Sequence, residues 1–453
     1  MALKGKHIYV ENLGCAKNQV DAEVMLHELE HAGCIVVEQA ADADYILVNT
    51  CGFIESARKE SIDSFFSLKE EFPQASIVVT GCLSQRYANE LGADLVEADG
   101  IFGNRNLRDI VNVLEKIENG ERMVATPEYP AIDREYDERA TLLSFPGSAY
   151  LKISEGCDHR CRYCAIPLIR GSLRSRPQKA IIEEAQRLIV SGIKEINLIA
   201  QDLASYGKEW DGKTDHFTKL LVELASLEGD FRIRMLYIHP DTFPSDLPEI
   251  VARYPTIIPY FDIPFQHASK QVLRAMGRTG DTQSYLHLIE TIRSVLPDAT
   301  FRSTFMLGFT NDSGEAFEEL EQFIIKARLD WVGTFIYSRE EGTPAYKDNK
   351  IADYRKMIKQ AKLDQKRLLD VQESITRERL SRFVGRTVEV LIEEPIEQED
   401  LAIGRMLHQA PEVDGSTVVM ARDLLAGQLV RCGITKVNGN DLEAVIVRNG
   451  ANS

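Results

Sequence analysis

The chain has 453 residues, 44% of them hydrophobic and 27% charged, which is typical of a globular protein with two to four domains and not of a disordered one. Its formal net charge of −17 argues against a protein that binds nucleic acid over its whole surface. No apolar run approaches the roughly 18 residues that cross a membrane, and the first residues do not resemble a secretory signal, so we expect a cytoplasmic protein.

The first region runs from His7 to about Gly120 and alternates strand-like with helical patterns. Because such alternation produces parallel strands flanked by helices, we expect a parallel α/β domain at residues 1–120. The next stretch is rich in proline, glycine and charge, and we interpret residues 121–148 as a linker. The predicted strands are His7–Leu13, Tyr45–Thr50 and Ser76–Thr80, and the predicted helices are Asn18–His31, Glu55–Glu71 and Leu107–Glu118.

The second region, residues 149–383, has six strand candidates separated by helical stretches. Six such units are too few for a closed eightfold barrel, so we expect a partial (β/α)6 barrel with its chemistry at the carboxyl ends of the strands. A long amphipathic helix, Ala352–Phe383, ends the region. The strand candidates are Tyr150–Ser154, Glu195–Ala200, Ile233–His239, Ile258–Phe265, Thr300–Gly308 and Val332–Ser338.

The last region, residues 384–453, has strand-like runs at Val388–Ile392, Val418–Ala421 and Leu442–Val447. Short strands of this kind fit a small β-barrel. The whole chain is therefore predicted to combine a parallel α/β domain, a partial barrel and a small closed barrel.

Three of the eight cysteines form the run Cys157-x-x-x-Cys161-x-x-Cys164. The cysteine content produces this pattern by chance only roughly two or three times per thousand chains of this length. Zinc would prefer four ligands, and nearby only His159 offers a fourth. Three thiolates on a 4Fe-4S cluster leave one iron open, and the run follows the first barrel strand, where active-site loops lie. The run predicts an iron–sulfur site, with structural zinc as the alternative.

This spacing, with the aromatic Tyr163 before the third cysteine, resembles that of the radical S-adenosylmethionine superfamily. The resemblance implies a partial six-unit barrel, which agrees with the strand count, and a cluster whose open iron binds S-adenosylmethionine. Tyr163 is therefore a candidate cofactor-binding residue. Further candidates lie on or after later strands, namely Gln201, Gln266 and Arg302. For Arg302 a pair with the methionyl carboxylate and an internal salt bridge are equally open alternatives.

Three other cysteines, Cys15, Cys51 and Cys82, each follow a predicted strand and precede a helix. Because parallel strands end at one edge of a sheet, these thiols should lie close enough to share a ligand. Helix N-termini lower thiol pKa values, which favours metal-binding thiolates. We interpret the set as the ligands of a second cluster. Burial as small apolar residues is the alternative, and it is the preferred interpretation of Cys34 and Cys432.

With these cysteines the resemblance narrows to the methylthiotransferases, which combine a three-cysteine domain, a radical domain and a C-terminal TRAM domain. It covers nearly the whole chain and implies two 4Fe-4S clusters and S-adenosyl-L-methionine as cofactors. In this family a 5′-deoxyadenosyl radical removes a hydrogen from an unactivated carbon, and the second cluster holds the sulfur to be donated. The matching segments are Asn12–Asn18, Asn49–Cys51, Thr80–Cys82 and Gly171–Pro177.

Two acceptors are known in the family: adenosine of transfer RNA, and an aspartate of ribosomal small-subunit protein twelve. Three segments, Leu168–Arg176, Tyr237–Asp241 and Ala410–Gly415, resemble the ribosomal-protein branch. Residues 383–453 contain six basic and eleven acidic residues, a balance that suits a basic protein better than RNA; a solvated surface without a partner is the alternative. We predict an aspartate methylthiotransferase, monomeric and served by an external electron donor. A transfer-RNA enzyme and a non-catalytic electron carrier remain alternatives.

Overall fold

Three sheets organise the chain in the computed structural model, which describes residues 3–129, 139, 141–348 and 351–447. Two of the sheets are parallel and the third is a closed barrel. This is the predicted order of architectures along the sequence. Among the described residues, no helix is both long enough and apolar enough to cross a membrane.

The first sheet is parallel throughout, and its described strands lie in the order second, first, third, fourth, fifth, sixth. Its strands are β1 (His7–Asn12), β2 (Ile35–Val36), β3 (Tyr45–Thr50), β4 (Ser76–Gly81), β5 (Gly100–Phe102) and β6 (Met123–Ala125). Its helices are α1 (Ala16–His31), α2 (Glu55–Glu71), α3 (Cys82–Arg86), α4 (Ala88–Asp94) and α5 (Ile110–Glu118).

The three strands predicted for this domain are present, and three short ones were missed. One of them, β6, lies in the stretch interpreted as a linker, so that interpretation is wrong for Met123–Ala125, which pairs with β5. Residues 130–138 and 140 of the same stretch lie outside the described part of the chain. The predicted helix Leu107–Glu118 begins with a 3-10 turn and becomes α-helical at Ile110.

The second sheet contains the six predicted strands in sequential order, all parallel, and it stays open. Its strands are β7 (Ser148–Lys152), β10 (Glu195–Ile199), β11 (Arg232–Met235), β12 (Ile257–Asp262), β13 (Thr300–Leu307) and β14 (Trp331–Ile336). Two short strands, β8 (Ser154–Glu155) and β9 (Arg174–Ser175), pair with each other in antiparallel fashion. The partial barrel is therefore confirmed.

Helices cover the outer face of this sheet and bury its apolar side chains, as the helical spacing predicts. The long final helix was predicted over Ala352–Phe383 and is observed over Ile351–Ser381. The helices are α6 (Ile166–Arg170), α7 (Gln178–Val190), α8 (Lys208–Asp211), α9 (His216–Ala225), α10 (Leu247–Arg253), α11 (Lys270–Met276), α12 (Thr282–Val295), α13 (Gly314–Ala327) and α14 (Ile351–Ser381).

The C-terminal region closes into a barrel of five strands in the described residues, of which two were missed from sequence. Buried and more exposed residues alternate along parts of these strands, for example in Thr417–Met420 and Asp441–Ile446, which places apolar side chains inside. The strands are β15 (Thr387–Pro395), β16 (Leu401–Met406), β17 (Thr417–Met420), β18 (Leu429–Asn438) and β19 (Asp441–Ile446).

Buried ion pairs hold the three units together. On the N-terminal side, Lys152 of β7 contacts Asp21 of α1 at 2.5 Å. On the C-terminal side, Arg405 of the small barrel contacts Glu195 of β10 at 2.7 Å, and both side chains are almost fully buried. Removing one partner of such a buried pair is strongly destabilising, so these pairs fix how the units meet.

Candidate active site

Cys157, Cys161 and Cys164 line one cavity of about 630 Å³ in the loop between β8 and β9. The β8–β9 pairing closes the base of this loop. Gly156 enters it with a φ of +71°, and a β carbon there would lie 2.0 Å from the carbonyl oxygen of Ser172, so only glycine fits. The sequence run thus becomes three sulfur donors that face one space.

His159 shares the cavity, but its Nε2 atom lies 2.8 Å from the buried carboxylate of Asp202. Its ring also stacks on that of His239 at 4.1 Å between centroids. Burial lowers the pKa of His239 to about 2, and its Nδ1 accepts a hydrogen bond from the backbone of Asp241. His239 therefore caps a turn, and the carboxylate of Asp202 holds His159 through Nε2.

Burial raises the pKa of Cys157 and of Cys164 to about 12, so these thiols need a positively charged ligand to become thiolates. The amide of Ile166 points at the sulfur of Cys164, 3.4 Å away. The buried ring of Tyr163 packs edge-on against Phe309, and its hydroxyl bonds to Cys161. The three sulfur donors suit an iron–sulfur cluster. Tyr163 is not among the residues that line the cavity.

The second cysteine set lies where expected, at the carboxyl edge of the first sheet. Cys15 immediately precedes α1, Cys51 follows β3, and Cys82 is the first residue of α3. Strands β1, β3 and β4 are adjacent and parallel, so their ends meet at one edge. Cys15 is exposed, Cys51 half-buried and Cys82 buried.

The thiol pKa values follow the prediction at only one of the three positions. Protein atoms crowded around the Cys15 sulfur raise its pKa although the residue is exposed at the surface, but Lys17, Arg170 and the first amides of α1 outweigh this effect, and the net pKa is lowered. Burial raises the pKa of Cys51, and it raises the pKa of Cys82 to about 12. In both residues the charges of the neighbouring thiols raise the pKa further. For these two, loss of hydration exceeds the effect of the helix N-terminus. Their mutual influence shows that the three thiols are neighbours.

Two of the predicted cofactor residues have unpaired amide groups. Gln201 follows β10, and neither its Oε1 nor its Nε2 has a hydrogen-bond partner in the described part of the chain. Gln266 follows β12 with a φ of +70°, and its Oε1 is likewise unpaired. Buried amide atoms without partners are costly, so both side chains are available to a polar ligand.

Arg302 has internal partners instead. Its guanidinium lies 3.4 Å from Asp262 and 3.6 Å from Asp414, which belongs to the small barrel. Although burial alone would lower the pKa of Arg302, these acids raise it. Of the two alternatives left open by the sequence, the internal salt bridge is the one that the structure contains.

Two charged residues of the site were missed from the sequence. Arg170 donates to Cys82, and Lys17 lies beside Cys15 with its ammonium 3.5 Å from the ring centroid of Tyr237. A signal for Lys17 existed, because a basic residue in the first turn of a helix opposes the helix dipole. Arg170 gave no comparable signal, since its partners lie far away in sequence.

The chain matches three family models in succession: Uncharacterized protein family UPF0004 at residues 7–103, the Radical SAM superfamily at 151–324 and the TRAM domain at 384–447. A protein of Treponema denticola named ribosomal protein uS12 methylthiotransferase RimO is 41% identical, over 96% of this chain and 99% of that protein. This chain belongs to the RimO family of methylthiotransferases. Its relative from Desulfitobacterium hafniense is 38% identical, over 99% of this chain and 100% of that protein.

Solved structures share the fold at low identity. The radical S-adenosylmethionine methyltransferase TsrM of Kitasatospora setae has a TM-score of 0.54 and 11% identity, with 73% of each chain covered. The cobalamin-dependent radical enzyme OxsB has a TM-score of 0.51 and 14% identity, over 79% of this chain and 57% of that one. As a member of the RimO family, the chain is a radical S-adenosylmethionine methylthiotransferase.

Proposed function

We propose that this enzyme replaces a hydrogen on the β-carbon of an aspartate in ribosomal protein uS12 by a methylthio group. The observation that carries the proposal is the presence of two three-cysteine sets joined by one short helix. Helix α6 begins two residues after Cys164, and its Arg170 reaches Cys82 of the other set. RimO proteins that align over nearly their whole length are named for this acceptor, which supports the choice.

Two 4Fe-4S clusters would occupy the cysteine sets, one on Cys157, Cys161 and Cys164 and one on Cys15, Cys51 and Cys82. When bound, they supply the electron that cleaves S-adenosylmethionine and the site from which sulfur is donated. The unpaired amides of Gln201 and Gln266 are assigned to the polar groups of S-adenosylmethionine. Tyr163 is assigned to the hydrogen bond with Cys161. Arg302 is assigned to the salt bridges between the domains and not to the cofactor.

An aspartate acceptor agrees better with the C-terminal barrel than adenosine of transfer RNA does. The hairpin between β15 and β16 exposes Glu394, Glu397, Glu399 and Asp400 within seven residues. Phosphate contacts dominate RNA affinity, so this end of the barrel would repel RNA and attract a basic ribosomal protein. We further propose that the enzyme acts in the cytoplasm, where ribosomes are, and that it is a monomer that receives electrons from an external donor.

Mass spectrometry tests the proposal directly. Reconstituted enzyme is incubated with reductant, S-adenosylmethionine and either purified uS12 or unmodified transfer RNA. An added mass of about 46 Da, hydrogen replaced by methylthio, is expected on a peptide of uS12 that contains aspartate. The same addition on transfer-RNA adenosine, with uS12 unchanged, would refute the proposal.

A further inference from the structure

Lys17 is a buried cation that no described carboxylate contacts, and the charge of Cys15, two residues earlier, is the first of those that favour its ammonium form. Its residue is only 8% exposed, and its ammonium lies over the ring of Tyr237. Among the residues that the structure describes, no carboxylate and no hydrogen-bond acceptor contacts that ammonium. A buried charge is costly unless it is paired, and a contact with an aromatic ring compensates only part of the cost.

Two other buried cations of this site, in contrast, each contact carboxylates. Lys152 contacts Asp21 at 2.5 Å and Glu155 at 2.7 Å. Arg170 contacts the same two carboxylates at 2.7 and 2.9 Å. Burial lowers the pKa of Lys17 against the opposing charges of Cys15, Asp262 and Glu155, and neither of these two carboxylates contacts its ammonium. Its ammonium is therefore the position where a carboxylate from outside the chain would complete the pairing.

Lys17 lies where the carboxyl ends of the two parallel sheets meet. It lies two residues after Cys15, which is exposed. Tyr237 comes from the other sheet, two residues after the end of β11. It is held at a φ of +70°, a conformation that residues with a β carbon rarely adopt and that often marks functional sites. Lys17 and Tyr237 thus bring the carboxyl ends of both sheets together at one point.

We propose that Lys17 binds the side-chain carboxylate of the acceptor aspartate and so selects an acidic acceptor. This inference rests on the proposed function and names the residue that recognises its substrate. In aspartate the carboxylate is attached to the β-carbon, so holding it orients the carbon–hydrogen bond that is replaced. An amide or a nucleobase can accept a hydrogen bond from the ammonium but brings no opposite charge, so both should bind more weakly than a carboxylate. Lys17 forms and breaks no covalent bond in this role.

The experiment measures binding and not turnover. Dissociation constants are determined for uS12 and for uS12 with asparagine at the modified position, on reconstituted, unreduced enzyme with S-adenosylmethionine. We expect the wild type to prefer aspartate, and Lys17→Met to lose that preference by weakening the aspartate form about ten- to a hundredfold. Lys17→Arg should keep part of the preference because it keeps the charge. Lys59→Met, at an exposed lysine of α2, is the matched control and should bind like the wild type.

Three results would overturn the assignment. Lys17→Met could retain the preference for aspartate, it could weaken both forms of uS12 equally, or it could lower the iron content per chain, which would mean that Lys17 serves Cys15 and not the acceptor. If the wild type still modifies uS12 in any of these cases, the proposed function stands and only the role of Lys17 fails. A wild type that leaves uS12 unmodified removes both.

Discussion

The guanidinium of Arg170 donates a hydrogen bond from Nη2 to the sulfur of Cys82, across 3.3 Å. The two residues belong to different domains: Cys82 begins helix α3, and Arg170 ends the short helix α6 that follows Cys164. Arg170 also pairs with Asp21 of the N-terminal domain and Glu155 of the radical domain. One buried side chain therefore couples the positions of the two cysteine sets.

Replacing Arg170 by methionine should be strongly destabilising. The side chain is only 2% exposed, and its removal leaves Asp21 and Glu155 with Lys152 as their remaining cation. Breaking a buried ion pair from one side costs about 3–5 kcal/mol. Urea unfolding should show a loss of this size. Arg274→Met, at an exposed arginine of α11, should change stability by no more than about 0.5 kcal/mol. Similar small losses in both variants would contradict the coupling.

Iron content tests the assignment of two clusters. Six thiolates in two sets should hold about eight iron atoms per anaerobically reconstituted chain. Changing Cys157, Cys161 and Cys164 to alanine should leave about four and abolish cleavage of S-adenosylmethionine. Changing the other three should also leave about four, with 5′-deoxyadenosine still formed. Full iron content in the second triple variant would show that the N-terminal set holds no cluster. The double variant of Cys34 and Cys432 to alanine is the control and should keep all the iron, since both residues are buried outside the two sets.

The pH dependence of stability should report on Asp414, whose side chain is fully buried. Burial raises the pKa of Asp414 from 3.8 to about 6, against the opposing effect of Arg302. The folded-state pKa lies above the unfolded one, so the contribution to stability is complete below pH 3.8 and is lost as the pH rises through about 6.

Asp414→Asn removes this titration. The stability of the wild type relative to the variant should therefore fall by about 3 kcal/mol between about pH 3.5 and about pH 7. Urea unfolding of both proteins across that range measures the difference. Asp370→Asn, at an exposed position of α14, should show a constant difference. If the Asp414 variant keeps the slope of the wild type, the carboxyl titrates normally in the fold.

Acidic residues of the C-terminal barrel should govern association with uS12, but the structure changes which residues to test. Glu412 and Asp414, in the segment Ala410–Gly415, are not available for such a role. Asp414 accepts a hydrogen bond from Tyr260 of β12, and Glu412 bonds to Tyr150 of β7. Their charges serve the contact between the domains.

Reversing Glu394, Glu397 and Glu399 to lysine leaves that contact intact. We expect slower association with uS12, and binding by the wild type should weaken above about 0.15 M salt, where the screening length is about 8 Å. Stopped-flow fluorescence at several salt concentrations measures both effects. The matched control reverses Glu290, Glu315 and Glu318, exposed acids on the outer helices α12 and α13. Equal slowing by both triple variants would indicate a general charge effect and no docking at the hairpin.

The sequence alone determined the features that depend on neighbouring residues. The six radical-domain strands were found because long buried runs such as Glu195–Ile199 contrast sharply with the helices around them. Both cysteine sets were found because their signal is spacing and position after a strand. Strands with weak patterns were missed: β6 has three residues, and β18 is largely exposed along its length. Short or half-exposed strands gain their stability from pairing partners that the local sequence does not contain.

Only the tertiary structure decided which charges belong to the site. Arg170 meets Asp21 across 149 positions of sequence, and Arg405 meets Glu195 across 210. Folding also buries Asp414 in the contact between the domains, and it buries Lys17 without a carboxylate in contact with its ammonium. Water solvates every exposed charge in much the same way, and burial removes that water. The side chains that folding brings around a buried charge then determine whether it is paired or can bind a ligand. The spacing of cysteines can be read from the sequence, whereas the pairing of charges is determined only in the folded interior.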